Sequence, residues 1–103
     1  MSVIMTMRVS GDPDKLEQLA AENADAIRGI TERAQAAGVM AHRFYGSEGQ
    51  IMVVDEWPDP ASFQAFFEAE QEAIRPIMAE VATSEPEITF WRKLETGDDV
   101  GWD

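Results

Sequence analysis

The chain has no cysteine among its 103 residues. This excludes a disulfide framework, a thiolate nucleophile, an iron–sulfur cluster and a cysteine zinc site. A single histidine likewise excludes a histidine-rich metal site, and neither a metal nor a resident cofactor is expected. Basic residues are scarce, eight against twenty acids, and the formal charge of −12 repels a phosphate backbone. Nucleic acid is therefore not expected as a partner. No apolar run approaches the ~20 residues that span a bilayer, and no basic segment followed by an apolar one opens the chain. These features read as a soluble cytoplasmic protein that does not engage a membrane. A chain of this size forms one domain and buries only about 60–65% of its unfolded surface. Its core is modest, and a partner subunit would add to it.

The residues that are present organise into a short series of elements. In Val3 to Ser10, Val3, Met5, Met7 and Val9 alternate with Ile4, Thr6, Arg8 and Ser10, the period of a strand. Asp12 and Pro13 then supply a cap and a first helical residue, and Leu16, Leu19, Ala20, Asn23, Ile27, Ile30, Ala34 and Ala37 keep helical spacing as far as Gly38. Val39 to Gly46 and Gln50 to Trp57 are two strands around Ser47-Glu48-Gly49, a hairpin with glycines at both ends of the turn. Asp59 and Pro60 repeat the capping device, and Phe63, Phe66, Phe67, Glu70 and Ile74 continue a second helix. Pro76 should split that helix near Arg75. Glu87 to Glu95 forms the last strand, with Ile88 and Phe90 on one face and Thr89 and Trp91 on the other.

The order β-α-β-β-α-β predicts an α+β, ferredoxin-like fold: a four-stranded antiparallel sheet with two helices on one face. Residues 1–95 make the single domain and residues 96–103 an acidic, flexible tail. The sheet face opposite the helices does not alternate cleanly with charge, as a wet antiparallel face should. Two such faces packed together would bury the excess, so a homodimer through the open sheet face is expected.

The strand ending Asp55-Glu56-Trp57 and the helix opening Asp59-Pro60-Ala61-Ser62-Phe63, with Phe66 and Phe67 after it, carry a further signal. With the element order, they resemble the dimeric α/β-barrel superfamily, and within it the antibiotic-biosynthesis-monooxygenase-like proteins. The resemblance covers roughly residues 3–95 and implies the dimer and one pocket per subunit between sheet and helices. It does not choose the chemistry, because members include cofactor-free monooxygenases, haem degraders, polyketide cyclases and lactone isomerases. Haem degraders carry an axial histidine on the second helix, where this chain has none, and plant-type cyclases use two histidines.

His42 is the most pointed candidate. It lies on the second strand with Phe44, and an even hairpin register would add Met52, Val54 and Glu56 to its face. Beside a carboxylate its imidazole can act as a general base toward a phenol or an activated C–H. The alternative is a histidine satisfied by a backbone carbonyl or at the dimer seam. Arg8 and Arg43 can stabilise an anion; Asp55 and Glu56 are their natural intramolecular partners. Tyr45, Trp57, Trp91, Phe44 and Phe67 can wall a pocket for a small aromatic ligand, or be plain core. Glu70 alone among the acids of its helix falls in the apolar stripe. The enzyme reading is cofactor-independent oxygenation of an electron-rich aromatic or polyketide-like substrate; the other is a non-catalytic ligand-binding or assembly protein.

Overall fold

A computed structural model describes residues 1–102. Strand β1 (Val3–Ser10) leads into helices α1 (Pro13–Glu22) and α2 (Ala24–Ala37). The hairpin β2 (Ala41–Ser47) and β3 (Gln50–Trp57) follows, then α3 (Pro60–Ala69), α4 (Gln71–Val81) and β4 (Glu87–Trp91). The strands form one antiparallel sheet in the order β2-β3-β1-β4, the ferredoxin-like arrangement.

The caps act as the sequence suggests. Asp12 accepts from the Asp14 N–H at 3.0 Å and Asp59 from the Ser62 N–H at 2.7 Å, each followed by a proline. Gly38 closes α2 at φ 115°, where a side chain would be strained.

Each of the two expected helices is a pair. The first breaks at Asn23, whose side-chain amide donates to the Leu19 carbonyl at 2.9 Å and so competes with the helix backbone. The second breaks at Glu70, not at Arg75, and Pro76 sits inside α4. The proline is tolerated because the carbonyl it leaves unpaired belongs to exposed Glu72.

The hairpin loop is two residues, Glu48 and Gly49, with Ser47 opposite Gln50. Only Gly49 needs a positive φ (70°); Gly46 is small for another reason, since a Cβ there would lie 2.7 Å from Pro13 Cβ. The shorter loop shifts the register by one. His42 pairs with Asp55, and Met52, Val54 and Glu56 lie on the face opposite His42.

All four helices cover the face bearing Met5, Met7 and Val9. One buried cluster joins Met5, Met7, Ala34, Val53, Trp57 and Phe63, and a second joins Val9, Ile51 and Val81 under Leu16, Leu19 and Met78. β4 ends at Trp91, four residues before the expected end, and Asp103 of the expected tail lies outside the described residues. Among the described residues no helix is long and apolar enough to cross a membrane.

Candidate functional site

The hairpin register sets His42 of β2 directly across from Asp55 of β3, both on the helix-covered face. His42 Nδ1 lies 2.6 Å from Asp55 Oδ1, and the Trp57 indole N–H donates to Asp55 Oδ2 at 3.0 Å. Asp55 is 5% exposed and Trp57 is fully buried. A carboxylate at that depth is costly unless its oxygens are satisfied, and here each lies within hydrogen-bond reach of a ring nitrogen. His42 keeps 34% of its side chain open and meets Phe44 edge-on at 5.3 Å.

This polar corner opens on a cavity of about 370 Å³ between sheet and helices. The volume lies at the lower end of ordinary ligand sites. Phe44 and Phe67 line it with isoleucines of α2 and α4, Ile27, Ile30, Ile74 and Ile77. The charged residues at its wall are Glu17, Asp55 and, when protonated, His42; no lysine or arginine lines it among the described residues. Above it, the Arg33 Nε–H of α2 is shared by both Glu70 carboxylate oxygens at 2.9 Å, tying α2 to the junction of α3 and α4. Glu70 is thus buried in part, at 13% of its side chain, with a partner.

The residues grouped by sequence divide between the two sheet faces. His42, Phe44 and Phe67 line the cavity, and Trp57 backs it through Asp55 instead of forming a wall. Arg8, Arg43, Tyr45 and Trp91 lie on the open face, away from His42. Arg8 is paired with Glu87, not with Asp55 or Glu56. The Arg43 guanidinium stands 5.7 Å over the Tyr45 ring, and the Trp91 indole N–H donates to Thr6 Oγ1 at 2.8 Å. Asp55 is the residue the sequence reading placed elsewhere. The signal was the loop length, because a two-residue Glu48-Gly49 turn puts position 55 opposite position 42 by counting alone.

Neither a family model nor a curated protein matches the sequence. Solved structures do. A monooxygenase of Streptomyces coelicolor, the ActVA-Orf6 product, in complex with nanaomycin D superposes at a TM-score of 0.67. It is 13% identical over 92% of this chain and 89% of its own. An antibiotic biosynthesis monooxygenase matches at 0.65 with 13% identity, covering 90% of this chain and 99% of its own. A dimeric ferredoxin-like protein from an uncultured marine organism matches at 0.63, again with 13% identity, over 91% and 89%. Likeness at that level of identity speaks for architecture alone. The chain has the ferredoxin-like fold shared by antibiotic-biosynthesis-monooxygenase-like proteins.

Proposed function

We propose that the chain is a cytoplasmic homodimer that binds a small, neutral, electron-rich aromatic in the cavity beside His42 and oxygenates it without a cofactor. The observation that carries this reading is the His42–Asp55 pair set into an otherwise apolar enclosure. His42 takes the phenolic proton; the phenolate gives two electrons to dioxygen as a ring carbon–oxygen bond forms, and loss of that carbon's proton supplies two more as the O–O bond breaks. One oxygen atom forms the new carbonyl and the other leaves as water, so that a phenol and one dioxygen give a quinone and one water. Because the wall carries carboxylates and no lysine or arginine among the described residues, ligands with a carboxylate or phosphate are disfavoured. A monooxygenase of the same fold is in complex with nanaomycin D, which supports a small-molecule ligand.

The dimer would form through the open sheet face. Ile4, Tyr45 and Trp91 are 37%, 47% and 53% exposed there, around half-buried Met52 and Val54. Arg8 and Arg43 balance Glu56 and Glu87 on this face, so the formal −12 is carried elsewhere and is not concentrated at the contact. A protein of the same fold that is dimeric supports dimerisation as such. Residues 1–95 would be the working unit, with 96–103 an appended tail.

The test is oxygen uptake with 1-naphthol and related phenols under ¹⁸O₂. The expected result is one label in the quinone, with His42→Ala slowing turnover by about 10²-fold or more. Uptake equal in wild type and His42→Ala would refute the base. The absence of a cation from the described cavity wall favours one other reading, a non-catalytic binding protein. In that case, naphthols bind without enzymatic oxygen consumption.

A further inference from the structure

Asp55 divides its two oxygens between ring donors of different kinds. An indole N–H can only donate, and Trp57 is fully buried, so its N–H cannot turn to water and Asp55 Oδ2 is committed to it. The second oxygen, Oδ1, is 2.6 Å from His42 Nδ1. A carboxylate only accepts, so the proton between them belongs to Nδ1. In the neutral ring the lone pair is then on Nε2, the form in which an imidazole can accept a proton from a ligand.

We propose that Asp55 is a positioning residue that holds His42 as the Nδ1–H tautomer, and that Trp57 locks the carboxylate in the orientation this requires. The consequence for turnover rests on the reading of His42 as base; the tautomer does not. The arrangement is local and rigid. Asp55 and His42 face each other across the hairpin, and Asp55 and Trp57 lie two residues apart on one face of β3. Substituting Asp55 by asparagine would keep the shape but offer one acceptor and one donor. The buried Trp57 N–H claims the acceptor, so the amide NH₂ must face Nδ1, and the ring inverts to Nε2–H. Removing the indole as well, in Asp55→Asn with Trp57→Phe, frees the amide to turn its oxygen to Nδ1 and restores the original tautomer.

The chain has one histidine, so ¹⁵N-histidine labelling gives an unambiguous spectrum. In the neutral ring of the wild type, Nδ1 should carry the proton. Asp55→Asn should show the proton on Nε2, and the double variant should return it to Nδ1. With a phenol substrate, the single variant should lose about 10²-fold or more in turnover, recovered in part by the double variant. An Nε2–H wild-type ring, or the same tautomer in Asp55→Asn and the double variant, would overturn the proposal. Should Asp55→Asn not fold, the wild-type spectrum decides the tautomer: an Nδ1–H ring supports the positioning by Asp55 and an Nε2–H ring overturns it. The expected tautomers without turnover in any protein would leave the positioning role intact and remove the oxygenase reading instead.

Discussion

Val54 is the sharpest probe of the open sheet face. It sits at mid-length of the inner strand β3, with Thr6 on one side and Arg43 on the other. Lysine at this position would set a second cation beside Arg43 while leaving the helix-covered face untouched. In a lone protomer the ammonium reaches water and costs little. In a two-fold dimer it is buried, and symmetry places it in the contact twice. Breaking the charge balance of a buried site costs about 3 kcal/mol or more per uncompensated ion, so the pair opposes association by roughly 6 kcal/mol. At about 1.4 kcal/mol per decade, that weakens association by on the order of 10⁴-fold. Sedimentation velocity across micromolar dilutions reads this directly, with circular dichroism confirming that each chain is folded. The wild type should sediment as a dimer and Val54→Lys as a monomer. A Val54→Lys protein that remains dimeric, or a wild type that is already monomeric at those concentrations, would show that this face is not the seam.

Two further perturbations address how the fold is held. Gly11 lies where β1 meets the end of α4, and a Cβ added there would stand 2.4 Å from the Val81 carbonyl oxygen. Gly11→Ala should cost roughly 2 kcal/mol, or about 10 °C of melting temperature for a chain of this size, and a loss below about 2 °C would contradict the clash. Asp59 caps α3, and the hydrogen bond from the Ser62 backbone N–H, followed by that from its side chain, lowers its pKa from 3.8. A depressed carboxylate stabilises the fold above its unfolded pKa and loses that contribution as pH falls through the folded value. Wild type should therefore melt above Asp59→Ala at pH 5–7, with the gap narrowing below pH 3.8. A gap independent of pH would refute the cap's charge as its cause.

The strands and caps were legible because they depend on local chemistry. β1 and β3 begin and end where alternation and Pro58 put them, and both aspartate–proline starts hold. The helix breaks were less so. Asn23 fits the spacing of a continuous helix, and only its competing amide bond to Leu19 shows why it ends one. Pro76 advertised a break that solvent access to the Glu72 carbonyl made unnecessary. The site suffered most from a small error. Reading the turn as three residues instead of two moved Glu56 in front of His42 and hid Asp55. The arginines were misgrouped for a different reason: periodicity assigns a residue to one of two sheet faces but does not say that Arg8 will find Glu87 across β4.

β3 serves two neighbourhoods at once. Ile51, Val53, Asp55 and Trp57 belong to the interior, while Met52, Val54 and Glu56 belong to the outside, and no residue separates the two sets. Point substitutions can therefore remodel the chemistry or the assembly separately. Deleting a single codon after Gly49 would exchange every assignment together, burying Glu56 and turning the carboxylate that holds His42 outward. Natural variation along this stretch should accordingly accumulate by replacement and almost never by a change of length.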